Sequence, residues 1–165
     1  MNIIFIAGAP GTGKSTIAKL LQEKLRSPCF EFGWIPEFRF TGEKEIPYEE
    51  EEGIAFENLT LVLKNYAKHG FKNIIVTDLD DKRIPELQTV FAGYEYRLIT
   101  LILSDEEELK KRVLDETRSS GYRDWETALK IQKRILVRPL LSNEIRIDVS
   151  RKDRGTVLKE VEANI

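Results

Sequence analysis

Eight residues near the start of the chain, Gly8-Ala9-Pro10-Gly11-Thr12-Gly13-Lys14-Ser15, constrain it more than any others. They follow the uninterrupted apolar run Asn2-Ile-Ile-Phe-Ile-Ala7 and precede Ser15-Thr-Ile-Ala-Lys-Leu-Leu-Gln-Glu-Lys-Leu25. An apolar run without alternation is expected of a strand covered on both faces of a parallel sheet. The later segment places Ile17, Leu20, Leu21 and Leu25 on one helical stripe. Between them, glycines let the main chain curl until successive N–H groups point inward around an anion. A helix starting where that loop ends adds its positive dipole end. Lys14 then supplies charge to the outer phosphates of a polyphosphate, and the Ser15 hydroxyl suits Mg²⁺. The strand before and the helix after distinguish a phosphate-gripping loop from a chance glycine-rich turn.

The rest of the chain alternates strand and helix patterns. Short strands are expected at 28–32, 73–77, 96–103 and 144–149. Helices are expected at 54–69, 85–91, from Ser104 to about 116, from Asp124 towards 138, and at 155–163. Glu49, Glu50, Glu51 and Glu52 read as carboxylates favouring a helix start. His69-Gly70 reads as the far end of that helix, and Ser104-Asp-Glu-Glu107 as a capping box. Residues 34–47 are irregular, broken by Pro36, Gly42 and Pro47. The pattern predicts one α/β domain over 1–165, with a parallel sheet covered on both faces.

Composition narrows the function classes. The 165 residues carry 26 Lys+Arg against 28 Asp+Glu, a net charge of -2, without the excess that phosphate backbones demand of a dedicated nucleic-acid binder. A single cysteine, Cys29, excludes an internal disulfide and a cysteine-cluster metal site; a single histidine, His69, argues against a histidine zinc site. No run approaches the roughly 18 apolar residues of a bilayer span, and the apolar start is too short for a secretory signal. A cytoplasmic location is expected.

With its G-x-x-x-x-G-K-S string after a buried strand, the chain resembles the small P-loop kinases, the group of nucleoside monophosphate kinases, shikimate and gluconate kinases and chloramphenicol phosphotransferase. The resemblance runs the whole length in layout, and its specific part is the phosphate loop. It implies a three-layer P-loop NTPase fold with a five-stranded parallel sheet in order 2-3-1-4-5, helices on both faces and a short lid at about 117–123. It also implies ATP and Mg²⁺ as cofactors, and transfer of the γ-phosphoryl group to a small-molecule acceptor. The implied partners include no nucleic acid and no membrane, and no motif specifies an oligomeric state. The Asn-Lys-x-Asp and Asp-x-x-Gly strings of GTPases and the Leu-Ser-Gly-Gly string of transport ATPases are absent.

On that resemblance Gly8, Ala9, Pro10, Gly11, Thr12, Gly13, Lys14, Ser15 and Thr16 hold the nucleotide phosphates, and Ser15 and Asp78 serve the metal. Asp78 directly follows the strand at 73–77, at the sheet edge shared with the loop; Asp80 competes for the role, while Asp81 reads as a solvated turn residue. Residues 110–138 carry nine basic against four acidic residues. Within them the lid offers Arg118 and Arg123, whose planar forks suit phosphate oxygens, and Gly121 as hinge. Arg112 and Arg134 fit a functional or a solvated role equally.

The acceptor is expected near Glu31, Trp34, Glu37, Phe38 and Arg39. Glu37-Phe38-Arg39 is one residue tighter than the family's acid-x-apolar-Arg pattern, so the general base is either Glu31 or Glu37. The aromatics there fit a pocket wall or core packing. Arg151, after the last strand, is the candidate for stacking on adenine. The competing functions are a nucleotide-hydrolysing regulator and a non-catalytic ATP-binding module; the basic lid favours the kinase.

Overall fold

The apolar run at the start forms the central strand, β1 (Asn2–Gly8), of a five-stranded parallel sheet in order β2-β3-β1-β4-β5. The other strands are β2 (Cys29–Glu31), β3 (Asn73–Thr77), β4 (Glu95–Ile102) and β5 (Glu144–Asp148). The computed structural model describes residues 2–34, apart from the Trp34 side chain, together with 46–118 and 120–165. Six α-helices lie among these residues: α1 (Lys14–Leu25), α2 (Tyr48–Lys68), α3 (Leu87–Val90), α4 (Glu106–Leu114), α5 (Trp125–Val137) and α6 (Arg154–Glu162).

Why β1 reads as continuously apolar is visible in its packing. Ile4 and Ile6 face a cluster built with Ile17, Ala18 and Leu21 of α1, Leu109 and Val113 of α4, and Val157 and Val161 of α6. Ile3, Phe5 and Ala7 face the opposite cluster, with Phe56, Leu59 and Leu63 of α2 and Leu87 of α3. Ile75 of β3 and Ile99 of β4 join the first cluster, and Ile74, Val76 and Leu98 the second. Each central strand is thus sealed on both sides, giving three layers.

The structure shifts several expected boundaries. The helix expected over 54–69 begins at Tyr48, so the four acids lie inside it. Glu49, Glu50 and Glu51 occupy its first turn, where the dipole favours them, but Glu52 is buried. The expected helix at 85–91 divides into a 3₁₀ turn, Ile84–Glu86, and α3. The cap of α4 sits one residue later than the expected box: Asp105 accepts from the Glu108 N–H at 3.0 Å. The Ser104 hydroxyl instead donates to Asp148 across the sheet edge at 2.6 Å. Asp124 caps α5 and Asp153 caps α6. Gly70, at φ +78°, ends α2. No helix among the described residues is long and apolar enough to cross a membrane.

Candidate active site

Parallel strands bring their C-terminal ends to one edge, and there the loop from Gly8 to Gly13 turns into α1. Gly8 has φ +138°, and a Cβ on it would lie 2.4 Å from the Leu101 carbonyl oxygen, so this corner admits only glycine. Gly13, at φ +92°, precedes α1 with open space where a Cβ would stand. The Ala9 carbonyl ties the loop together, accepting from the Thr12 N–H at 3.3 Å, the Thr12 hydroxyl at 2.9 Å and the Lys14 ammonium at 3.3 Å.

Lys14 is buried, and its Nζ lies 3.4 Å from Asp78 Oδ1. Burial lowers its pKa, the Asp78 carboxylate and its hydrogen bond work against that, and Arg118 lowers it further. Asp78 follows β3 at φ +65°, in the left-handed region that non-glycine residues seldom occupy. Such strain concentrates where a side chain must be aimed. Because Glu31 pairs with Thr77, the Glu31 carboxylate stands beside Asp78. Burial raises the Glu31 pKa, the Asp78 charge raises it further, and Lys14 opposes both. Two carboxylates and one ammonium therefore share the foot of the cleft.

A cleft of about 860 Å³ opens over the loop and reaches Ser15, Thr16, Glu31, Asp78, Arg118 and Arg154. Arg118 donates to the carbonyls of Val113 at 3.0 Å and Tyr122 at 3.3 Å. Arg123 turns to the carbonyls of Ser120 and Tyr122 and does not line the cleft. Burial lowers the Arg118 pKa, and the neighbouring Arg123 charge adds to the effect.

A second cavity, of about 300 Å³, adjoins the first and shares Pro10, Lys14 and Asp78 with it. Its far wall holds Phe32, Tyr48, Glu51, Glu52, Asp81 and Arg134. Glu52 is anchored by three hydrogen bonds from Arg83 at 2.6–3.1 Å and by Lys82 at 3.1 Å. Burial alone would raise its pKa, but these two cations hold it below the usual carboxylate range. Asp81, expected as a solvated turn residue, instead pairs with Arg134 at 3.2 Å and Arg138 at 3.5 Å.

Of the expected site residues, the structure brings Pro10, Gly11, Gly13, Lys14, Ser15, Thr16, Glu31, Asp78 and Arg118 around one cleft. Gly8 lines the second cavity, while Ala9 and Thr12 are buried inside the loop. Arg151 points away, with its side chain 86% exposed and 3.5 Å from Asp105. Glu37, Phe38 and Arg39 lie outside the described residues, as does the side chain of Trp34. Phe32 serves both of the roles weighed for the aromatics, packing against the core and lining the second cavity.

Arg112 and Arg154 also line the cleft, and Arg154 was not anticipated. The sequence did hold a signal for it: a cation in the first turn of α6 opposes the helix dipole, which a nearby anion site would explain. Glu52 was detectable too, since it falls on the stripe of Ala55, Phe56, Leu59 and Leu63. For a metal, Ser15 and Asp78 supply hard oxygen donors on one cleft, which suits Mg²⁺, a cation that commonly takes one or two protein ligands beside substrate phosphates.

The family described as AAA domain matches residues 4–129. No curated protein matches the chain by sequence. Among solved structures, the tunicamycin resistance protein of Deinococcus radiodurans superposes with a TM-score of 0.71 at 19% identity, over 98% of this chain and 94% of that one. A gluconokinase from Sinorhizobium meliloti gives 0.66 at 18% identity, covering 99% and 90%. Thymidylate kinase from Candida albicans gives 0.62 at 15% identity, covering 98% and 89%. These likenesses establish the fold as that of the P-loop kinases.

Proposed function

The chain belongs to the AAA domain family, and from that premise we propose that it is an ATP-dependent phosphotransferase acting on a small-molecule hydroxyl acceptor. One observation carries the reading: a phosphate cleft and a separate smaller cavity meet at Lys14 and Asp78. A hydrolase needs room for water only, whereas a kinase needs a second compartment whose mouth opens on the γ-phosphate.

In this reading the loop amides and Lys14 hold the triphosphate, with Ser15 and Asp78 holding Mg²⁺. The metal, when bound, neutralises charge on the phosphate oxygens. Arg118 stabilises the charge that develops on the group in flight, and Arg123 joins it if the lid closes. The acceptor oxygen forms a bond to the γ-phosphorus as the bond from that phosphorus to the β–γ bridging oxygen breaks, and ADP leaves with the electron pair. Glu31 receives the acceptor's proton; its raised pKa makes it a better base than an ordinary glutamate. Glu37 is the alternative base, Trp34, Phe38 and Arg39 remain acceptor candidates by sequence alone, and Arg151 would reach adenine only from a different rotamer.

We place this single catalytic domain in the cytoplasm, with no nucleic-acid or membrane partner. Burial and the Glu31 charge push the Cys29 thiol up to about 11, so it stays protonated and inert there. The test is ADP release from ATP·Mg²⁺ with and without hydroxyl compounds. Release should be slow alone and accelerate with a true acceptor, with phosphorus NMR showing a phosphate ester. Lys14→Ala should lower turnover by about 10²–10³ or more, the scale of one lost transition-state donor. Wild-type turnover in that variant, or inorganic phosphate as the sole product with every acceptor, would refute the proposal.

A further inference from the structure

The second cavity has a charge character that selects among acceptors. Five carboxylates line it, Glu51, Glu52, Asp78, Asp80 and Asp81, against two cations, Lys14 and Arg134. Both cations are engaged. Lys14 lies on Asp78 and the Ala9 carbonyl, facing the place of the donor phosphates. Arg134 lies on Asp81, which Arg138 also approaches. Glu52 is matched by Arg83 and Lys82. Among the described residues Glu51 and Asp80, both half-buried, make no ion pair; the Asp80 carboxylate accepts only from the Lys82 N–H, at 3.0 Å.

A second observation shows what these walls accommodate. The Lys82 ammonium lies 3.1 Å from Glu52 and 5.7 Å above the Tyr48 ring, and both of those residues line the cavity. A carboxylate with an aromatic face is an arrangement that binds ammonium groups, and here the chain supplies one itself. An anionic acceptor would meet two carboxylates, Glu51 and Asp80, that carry no ion pair among the described residues. A cavity of about 300 Å³ is also at the small end of ligand pockets.

Resting on the kinase reading above, we propose that the acceptor bears its reactive hydroxyl close to a positively charged nitrogen, as in an amino alcohol or amino sugar, and that Glu51 and Asp80 hold that nitrogen. The transfer itself is unchanged: the hydroxyl oxygen takes the γ-phosphoryl group, ADP departs, and the hydroxyl proton passes to the carboxylate base. The ammonium only orients the acceptor and offsets the wall's charge.

Ligand-observed saturation-transfer NMR on the full chain with ADP·Mg²⁺ tests this, using three matched sets of probes. The cationic set is glucosamine, galactosamine and ethanolamine. The neutral set is glucose, galactose and ethylene glycol. The anionic set is glucuronate, galacturonate and glycolate. Saturable signals at least tenfold stronger for the cationic set are expected. In the double variant Glu51→Gln, Asp80→Asn those signals should fall to the level of the neutral set. Equal or stronger binding of the neutral or anionic set overturns the proposal. So does a full cationic signal in the double variant, and so does the absence of binding from all three sets. Calorimetry with ATP·Mg²⁺ on the same samples keeps the two readings apart. Nucleotide heat with the wrong charge preference removes only the acceptor class; no nucleotide heat in the wild type removes the kinase reading itself. Nucleotide heat in the double variant shows that its fold is intact.

Discussion

Glu144 opens β5 with its carboxylate wholly buried, yet matched on every side. Arg138 grips it with two hydrogen bonds at 2.7 and 2.8 Å, and it accepts from the Thr100 hydroxyl at 2.7 Å and the Leu141 N–H at 3.1 Å. Burial alone would raise its pKa, but Arg138 and Thr100 bring it down to about 2. Asp148, at the other end of the strand, is likewise brought to about 2, by Ser104 and Ser150 against its burial. A carboxyl depressed on folding contributes stability above its unfolded pKa, near 4.3 for glutamate, and loses it as pH falls through the folded value. Stability in urea should therefore hold level from pH 7 to 5 and decline between about 4.5 and 2. Glu144→Gln should flatten that decline; an unchanged acid slope in the variant would reject the assignment. Glu144→Ala, which takes from the buried Arg138 its closest partner and leaves only Asp81 at 3.5 Å, should cost about 3–5 kcal/mol at neutral pH. The two buried glutamates differ in how far the sequence betrays them. Glu52 sits in register with an apolar helical stripe, whereas Glu144 is buried by Thr100 on β4 and by Arg138, partners that no local pattern names.

The segment joining α4 to α5, the expected lid, is held at its two ends. Asp115 accepts from the Thr117 N–H at 2.9 Å and hydroxyl at 2.7 Å, and Asp124 closes the segment by capping α5. Between them, Arg118 and Arg123 spend their donors on main-chain carbonyls, neutral acceptors that a triphosphate would outcompete. Arg118→Ala and Arg123→Ala should thus lower kcat more than they weaken ATP binding, since groups acting in the transition state show chiefly in turnover. Arg118 already lines the cleft, so its loss should be the larger, about 10²–10³ in kcat. Wild-type turnover in both variants would dismiss the lid. At this scale sequence patterns performed well, because caps, loops and stripes are local. The box at Ser104 slipped by one residue because Asp105 is equally able to cap and Ser104 has a partner in Asp148 across the sheet. The apolar stripe marks α2 only from Ile54, and Glu49, Glu50 and Glu51, read as helix-start carboxylates, do lie in its first turn.

Across the whole molecule, legibility followed sequence distance. Runs such as Ile3-Ile4-Phe5-Ile6 announce a sheet sealed on both faces, and the phosphate loop fixes which end of it carries chemistry. The second cavity had no such announcement, because it forms only where α2 and α5 approach the turn after β3. The nucleotide cleft also draws on the loop after β1, on β2, on the turn after β3, on α1 and α4, on the segment between α4 and α5, and on α6, elements anchored in both hydrophobic clusters. A ligand held by so many elements is lost only when the domain opens as a unit, so its binding should appear in global stability. At a hundredfold excess over its Kd, ATP·Mg²⁺ should add about 2.7 kcal/mol. For a chain of this size each kcal/mol moves Tm by about 2–4 °C. Scanning calorimetry should show that rise in the wild type, a smaller one when EDTA removes Mg²⁺, and almost none in Lys14→Ala, which removes the ammonium held at the loop. A rise of equal size in Lys14→Ala would mean that the nucleotide is gripped elsewhere. No rise in the wild type would leave the glycine loop, for all its geometry, without an anion to hold.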